Sequence, residues 1–235
     1  ELDPAGRPVG GRRQDDVHRF NLPLGSAFMN IAVIGATRGI GLELVRAALE
    51  EGHEVTALVR SPARMPMSHR RLHVVPGDAQ DPDAVAKVVL GQDVVCDCLG
   101  TKNVFTKTTL FSQSAANLAK ALKAEQLLIV VTGIGTGDSR GHGGLLYDRL
   151  MLPLVLRRIY ADKERQERII MSQVARWIIV RPGILTHGPR TGRYRALTEL
   201  RGIRGGTISR ADVADFILSQ AKTPTFLGKT PLLIY

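Results

Sequence analysis

Three glycines with the spacing Gly-x3-Gly-x-Gly, at Gly35, Gly39 and Gly41, follow directly on a short apolar run. A glycine-rich turn between a strand and a helix exposes backbone N–H groups, and the helix adds the positive end of its dipole. Gly35 lets the chain turn sharply, Gly39 lets the backbone approach a phosphate, and Gly41 permits close helix packing. This pattern predicts a binding loop for the diphosphate of a dinucleotide.

Arginines gather where a second strand, predicted over residues 53–59, would end beside this loop. Arg60 and Ser61 follow the strand, and Arg64 comes one turn later. Arg38 lies within the glycine loop itself. An acidic residue at this place usually accepts from the ribose 2′-hydroxyl of NAD, whereas arginine meets the 2′-phosphate of NADP through paired, charge-assisted hydrogen bonds. The arginines therefore predict NADP(H) as the cofactor, with a solvated basic surface as the alternative.

Apolar runs and helical patterns alternate along the chain without an internal repeat. This alternation predicts an α/β fold, a three-layer, Rossmann-like, doubly wound parallel sheet, in a single NAD(P)-binding domain over residues 29–235. A small C-terminal region would lie on the substrate side. We predict strands over residues 31–34, 53–59, 71–75, 93–99, 126–131 and 177–180, with an edge strand over 231–235. We predict helices over residues 40–49, 108–123 and 213–221, with another starting near Asp81 and Pro82.

Residues 1–28 differ from the rest of the chain in composition. Prolines and glycines at positions 4, 6, 8, 10 and 11 break any periodicity, and the segment lacks a hydrophobic face. We expect a disordered or non-native N-terminal extension without chemistry, and Met29 has the character of a natural start.

The composition is that of an ordinary globular domain: 44% of the 235 residues are hydrophobic and 23% are charged. No apolar run approaches the roughly 18–20 residues that span a bilayer, so no membrane is expected as a partner. Cys96 and Cys98 share one face of a predicted strand, which fits core packing in a reduced compartment and a cytoplasmic location. No His/Cys/Asp cluster has metal-ligand spacing, so no metal is predicted.

The net charge of +10 lies on the folded part, because residues 1–28 carry four arginines against four acidic residues. One interpretation is a solvated basic surface, and another is an electrostatic funnel for an anionic cofactor and substrate. Nucleic acid is not expected as a partner, since there is no aromatic interleaving and no recognised reader motif.

By its motifs the chain resembles the atypical short-chain dehydrogenase/reductase group, which is NAD(P)H-binding and NmrA-like. Within that group it is most similar to the flavin reductase/biliverdin-IXβ reductase branch. The resemblance covers nearly all of residues 29–235 and rests on residues 35–41, 58–60, 77–78, 91–95, 99–103, 180–183, 191–194 and 208–213.

The resemblance implies NADPH as the cofactor and assigns residues to its adenine half. The diphosphate would be held by Gly35, Thr37, Gly39 and Ile40. The 2′-phosphate would be held by Arg60 and Ser61. Asp78 and Ala79 would face the adenine, although Asp78 could equally cap the helix that starts near Asp81.

The nicotinamide half is assigned in the same way. Its ribose would lie near Leu99, Gly100 and Thr101. In this group a lysine at the position of Lys163, followed by a glutamate such as Glu167, more often holds that ribose. Pro182, Gly183 and Ile184 would line the nicotinamide side, with a plain strand terminator as the alternative for Pro182.

The chain departs from the group in its acid–base residues. Alcohol dehydrogenases of this superfamily use Tyr-x3-Lys, whereas Tyr160 and Lys163 are only three apart, which still puts them on one helix face. Gly133 stands where the flavin reductase branch would have a serine, so that role would fall to Thr132 or be absent. Tyr160, Lys163 and Thr132 are thus the candidate catalytic residues.

These departures favour an NADPH-dependent oxidoreductase that passes a hydride to a flavin, a quinone or another small conjugated or carbonyl acceptor. Such acceptors need little proton chemistry from the protein. One alternative is a non-catalytic NADP(H)-binding redox sensor of the NmrA type, and another is a sugar-nucleotide epimerase or dehydratase. The protein would act as a monomer or a homodimer.

Two further segments are expected to shape the substrate side. Residues 133–144 hold too many glycines for a helix and would suit a mobile lip. Residues 145–156 form a markedly apolar helix, interpreted as a lid, a dimer surface or core. His187 is expected to be a loop histidine, and Asp97 is expected to have a structural role.

Overall fold

A computed structural model describes residues 28–101 and 108–235 of the chain. The predicted N-terminal extension, residues 1–28, lies outside this part except for Phe28. The strands are β1 (Asn30–Ile34), β2 (Glu54–Val59), β3 (Leu72–Pro76), β4 (Val94–Asp97), β5 (Leu127–Val131), β6 (Trp177–Pro182), β7 (Ile184–Thr186), β8 (Arg195–Leu197), β9 (Thr207–Ser209) and β10 (Leu232–Ile234). The helices are α1 (Gly39–Glu50), α2 (Pro82–Val89), α3 (Leu110–Ala121), α4 (Arg157–Gln173) and α5 (Arg210–Lys222).

The main sheet has eight strands in the order β3-β2-β1-β4-β5-β6-β10-β8, and its strands are parallel up to β10. Helices α1 and α5 pack on one face, and α2, α3 and α4 pack on the other. The strand sequences are continuous apolar runs because helices cover both faces of the sheet. Ile31 and Val33 contact the α1 side, whereas Ala32 and Ile34 contact the opposite side. The prediction of a doubly wound, three-layer Rossmann-like fold is confirmed.

The C-terminal strand corrects one prediction. β10 is not an edge strand, because it lies between β6 and β8 and pairs with both. The edge is formed by β8, an antiparallel strand of three residues that the sequence analysis did not identify. β10 is fully buried, and such an apolar strand is better placed inside a sheet than at an open edge.

A separate two-stranded sheet, β7 with β9, lies beyond the carboxyl end of β6. Its register puts Thr186 opposite Ser209, the residue that caps α5 by accepting a hydrogen bond from Asp212 N at 2.9 Å. This pairing brings the first turn of α5 to the carboxyl edge of the main sheet.

The two segments expected on the substrate side are unlike each other. Residues 133–144 contain one 3-10 turn, Gly137–Ser139. Residues 133–136 and Ser139 are buried, so this part of the segment is packed and does not form a lip. Tyr147–Leu156 is a π-helical segment that buries none of its residues. Leu145, Leu146 and Leu154 are each about 70% exposed, which excludes the interpretation of this segment as core.

Candidate dinucleotide-binding cleft

A cleft of about 1090 Å³ opens at the carboxyl edge of the sheet, where the strand order reverses between β1 and β4. In open α/β sheets this switch point is where ligands bind. Sixteen of the predicted site residues line it: Gly35, Thr37, Arg38, Gly39, Ile40, Arg60, Ser61, Arg64, Asp78, Ala79, Leu99, Gly100, Thr101, Thr132, Lys163 and Pro182. Three predicted site residues are not among its lining residues: Tyr160, Gly183 and Ile184.

The glycine loop has the geometry that its spacing predicted. Gly35 and Gly39 have φ values of 85° and 60°, a region that favours glycine. A Cβ on Gly35 would lie 2.6 Å from Cys98 O, so a side chain there would collide with the backbone at the end of β4. Within the described chain no side chain caps α1, which begins after Arg38. Its first N–H groups are therefore available to an anion.

Arg38 spans the cleft above this loop. Its Nη2 donates to Gly100 O at 3.3 Å, which links the start of α1 to the segment after β4. The side chain is exposed, so its remaining donors face the cleft and solvent.

The predicted 2′-phosphate site lies at the end of β2. Arg60 is exposed there, and Ser61 precedes a short 3-10 turn, Pro62–Arg64, that returns Arg64 to the same cleft. No acidic residue takes the place of Arg60 at the end of this strand. The arrangement can bind a phosphate between two guanidinium groups.

Asp78 does not cap α2. The cap is Asp81, whose carboxylate accepts from Asp83 N at 3.0 Å, whereas Asp78 Oδ1 accepts from Gln80 N at 3.0 Å. Of the two roles considered for Asp78, helix capping is thus wrong. The carboxylate stays at the cleft wall beside Ala79.

Lys163 projects from α4 into the end of the cleft where the nicotinamide was expected. Its Nζ donates to Thr132 O and lies 5.2 Å from the centre of the Phe111 ring. Burial lowers the pKa of Lys163 to about 8, although the carboxylates of Glu167 and Asp97 oppose the shift. A lysine with such a pKa is partly neutral near physiological pH, which is characteristic of functional sites.

Asp97, at the end of β4, is fully buried and supports this end of the cleft. Its carboxylate accepts from Leu99 N at 3.1 Å, Ser114 Oγ at 3.2 Å and Gln166 Nε2 at 3.0 Å. Burial raises the pKa of Asp97 to about 6, against these hydrogen bonds and the charge of Lys163. The network ties β4, α3 and α4 together beneath Lys163, in agreement with the structural role expected for Asp97.

Thr132 lines the cleft, but its hydroxyl is engaged elsewhere. Oγ1 donates to Glu167 Oε1 at 2.7 Å, and a threonine hydroxyl has only one proton to donate. Glu167 also accepts from Thr136 Oγ1 at 2.7 Å and from the buried Arg181 through both carboxylate oxygens. What Thr132 offers Lys163 is its backbone carbonyl.

Tyr160 and Lys163 share a helix face but do not form an acid–base couple. The Tyr160 hydroxyl lies 2.5 Å from that of Tyr147, within hydrogen-bond distance, and the Tyr147 hydroxyl also lies 3.2 Å from Ile134 O. Lys163 Nζ lies 5.9 Å from the centre of the Tyr160 ring. Burial and the contact with Tyr147 raise the pKa of Tyr160 strongly.

Several residues of the cleft wall were not predicted from the sequence: Glu43, Leu110, Leu185 and Arg210. His187, expected to be a loop histidine, also lines it. Ser209 caps α5, but nothing in the sequence around it predicted where Arg210 would lie. That position depends on the pairing of β7 with β9, whose two strands have only three residues each.

Charge in the cleft is predominantly positive. Arg38, Arg60, Arg64, Lys163 and Arg210 line it against two carboxylates, Glu43 and Asp78. A cleft lined mainly by one sign of charge concentrates ligands of the opposite sign. The fold and this cleft define a dinucleotide-binding protein of the Rossmann-like class.

Residues 35–224 match the family of proteins described as NAD(P)H-binding. The chain belongs to this NAD(P)H-binding family, and the expectation of a nicotinamide cofactor is confirmed. Among curated proteins it is similar to YhfK of Bacillus subtilis, described as an uncharacterized sugar epimerase, with 26% identity over 196 residues that cover 81% of this chain and 87% of the relative.

Solved structures share the fold. ChuY of Escherichia coli O157:H7, described as an anaerobillin reductase, superposes with a TM-score of 0.72 at 23% identity, over 87% of this chain and 96% of that one. The oxidoreductase ylbE of Lactococcus lactis superposes with a TM-score of 0.73 at 23% identity, over 88% and 90%. Within residues 28–101 and 108–235, no helix combines the length and apolarity that crossing a bilayer demands.

Proposed function

We propose that the protein is an NADPH-dependent reductase that transfers a hydride to a flavin, a quinone or another small conjugated or carbonyl acceptor. The observation that carries this proposal is the chemical difference between the two ends of the cleft. Its adenine end is rich in arginine, whereas at its nicotinamide end the hydroxyl of Thr132 donates to Glu167 and that of nearby Tyr160 is bonded to Tyr147.

An acceptor reduced at this end would receive little proton chemistry from the protein. A conjugated acceptor suits such a site, because it can stack on the nicotinamide and take its second proton from water. The protein then contributes orientation and electrostatics. Pro182, Leu185 and Leu110 supply apolar surface to the cleft, and His187 adds a polar edge.

The preference for NADPH over NADH rests on Arg60, with Arg38 and Arg64 in the same cleft. A 2′-phosphate would place about two negative charges among these guanidinium groups, whereas a ribose hydroxyl would leave them without an anionic partner. Lys163 would hold the nicotinamide ribose from the other end of the cleft.

A non-catalytic NADP(H) sensor is the second candidate function. The specific observation in its favour is that the Tyr160 hydroxyl is hydrogen-bonded to that of Tyr147 and makes no hydrogen bond to Lys163 in the described part of the chain. A sugar-nucleotide epimerase is less well supported, because it would need an active acid–base pair beside the nicotinamide.

The test is to mix purified protein with NADPH and a panel of flavins, quinones and aldehydes while following NADPH absorbance. We expect oxidation of NADPH with at least one conjugated acceptor and slower oxidation with aldehydes. Binding of NADPH without turnover of any acceptor would favour the sensor. Interconversion of nucleotide sugars with retained NADP⁺ would instead favour the epimerase and overturn the proposal.

A further inference from the structure

Arg210 is the first residue of α5, and its side chain crosses from the C-terminal region to the glycine loop. Its Nη1 donates to Thr186 O at 2.8 Å, at the end of β7. A Cβ built on Gly39 would lie 3.9 Å from both Cδ and Nε of Arg210. The side chain is thus anchored on one wall of the cleft and reaches the loop at the other.

Among residues 28–101 and 108–235, no carboxylate forms an ion pair with Arg210. Other arginines near α5 or in the core have acidic partners: Arg190 pairs with Asp215 and Glu51, and Arg181 with Glu167 and Asp138. In the described part of the chain, the side chain of Arg210 donates one hydrogen bond to the protein, and its acceptor is the neutral carbonyl of Thr186. A guanidinium has five N–H donors, so four of them are left for a ligand.

The groups opposite Arg210 are also donors. Across the cleft from its guanidinium lie the uncapped N–H groups at the start of α1, at the positive end of the helix dipole. Arg210 and the start of α1 therefore bring two sets of donors to the same cleft, a combination that fits an anion and not a cation or an apolar group. The anion that a glycine loop of this spacing approaches is a diphosphate.

We propose that Arg210 binds the cofactor diphosphate from the side opposite the glycine loop, so that the diphosphate is held between this guanidinium and the N-terminus of α1. The inference rests on the proposed function in so far as the ligand is a nicotinamide dinucleotide. It makes Arg210 a determinant of dinucleotide affinity as such, whereas Arg60 determines the preference for the 2′-phosphate.

Arg210→Gln separates these roles. We expect it to weaken the binding of NADPH and of NADH by the same factor, about 10- to 100-fold. Both cofactors carry the diphosphate, which would lose a charged hydrogen bond. Arg210→Lys should retain part of the affinity through its charge. The matched control is Arg195→Gln, since Arg195 also donates to a backbone carbonyl, Tyr235 O at 2.9 Å, but lies outside the cleft lining.

Titrations with ADP and adenosine distinguish phosphate binding from a merely structural tie to Thr186. If the proposal is correct, Arg210→Gln weakens the binding of ADP and leaves the affinity for adenosine unchanged. Equal losses for ADP and adenosine, or wild-type affinity for both dinucleotides, would overturn it. These affinities are measured without an acceptor, so a protein that binds cofactor but reduces nothing refutes the proposed reductase and still tests Arg210.

Discussion

The hydroxyl of Thr132, a residue of the cleft wall, donates a hydrogen bond of 2.7 Å to Oε1 of Glu167. Glu167 is at the same time the bidentate partner of Arg181, which is only 2% exposed. The residue that the sequence suggested for cofactor chemistry is therefore joined to a buried ion pair that holds β5, β6 and α4 together.

Glu167→Ala should be among the most destabilising single substitutions in this chain. It leaves the buried guanidinium of Arg181 with only the exposed Asp138 as a partner, a loss of the kind that costs about 3–5 kcal/mol. Urea denaturation gives the change in the free energy of unfolding. Glu164→Ala is the control, because its ion pair with the exposed Arg140 is worth about 1 kcal/mol or less. Equal losses for the two variants would contradict the central role of Glu167.

Arg60→Ala should raise the dissociation constant of NADPH about tenfold or more and leave that of NADH nearly unchanged. The reason is that a charge-assisted bond to the 2′-phosphate is lost, and NADH has no such phosphate. Fluorescence titration of both cofactors measures the ratio. Arg204→Ala removes an exposed charge from outside the cleft lining and controls for the overall field. Equal weakening of NADPH and NADH by Arg60→Ala would refute the 2′-phosphate assignment.

Because the pKa of Lys163 is about 8, we expect the affinity for NADPH to fall as the pH rises through this value. Below that value its ammonium group is charged and attracts the anionic cofactor, and above it the charge is lost. The 2′-phosphate is fully ionised throughout this range, since its second pKa is about 6. Titrations at pH 7 to 9.5 test this directly. Lys163→Met should bind more weakly at pH 7 and lack the step, and a step that persists in this variant would assign it to another group.

How much of the site the sequence could predict depends on the range of the interactions involved. The glycine loop and Arg60 are fixed by short segments next to strands, and sixteen predicted residues line one cleft. Arg210 was missed because its position follows from β7 pairing with β9, which have just three residues each. The direction of the Thr132 hydroxyl depends on Glu167, 35 residues further along the chain. Spacing within one element carries no information about such a partner.

The same limit applies to the sheet. Its first six strands are strongly apolar and were all predicted, with bounds within a few residues of those observed. β10 was predicted as an edge strand, and β8, which lacks an apolar pattern of its own, was not predicted. Their pairing buries Leu232 and Leu233 completely, and it is this tertiary contact that places β10 inside the sheet.

Asp97→Asn should change how stability depends on pH. The folded-state pKa of about 6 lies above the ordinary value, so the folded protein binds more protons than the unfolded chain between about pH 4 and 6, and its stability falls as the pH rises. An asparagine does not titrate. We therefore expect the free energy of unfolding of the variant to rise, relative to that of the wild type, by up to about 3 kcal/mol between pH 4 and pH 7.

Thermal or urea unfolding at several pH values measures this gain, with the exposed Asp83→Asn as a control. The asparagine can accept from Leu99 N, as the carboxylate does. It can donate to Gln166 Oε1 once the Gln166 amide flips, because Gln166 Nε2 donates to Asp97 Oδ2 in the wild type. A constant difference between the variant and the wild type across this range would show that Asp97 does not titrate between pH 4 and 6.

Gly133 and Tyr160 should be coupled in a double-mutant cycle. A Cβ on Gly133 would lie 2.9 Å from the Tyr160 hydroxyl oxygen, and the φ of Gly133 is 154°. Gly133→Ser therefore introduces both backbone strain and a collision, and we expect it to destabilise the wild type by about 1–3 kcal/mol. In Tyr160→Phe the hydroxyl is gone, so the same serine substitution should cost less.

Tyr147→Phe is the matched background, because it removes the other hydroxyl of the 2.5 Å pair and leaves that of Tyr160 against Gly133. The free energy of unfolding of the three single variants, the two double variants and the wild type gives the coupling. We expect Tyr160→Phe to relieve the Gly133→Ser defect and Tyr147→Phe to leave it nearly unchanged. If both phenylalanine backgrounds relieve the defect equally, the Tyr160 hydroxyl does not occupy the space that a side chain at position 133 would need.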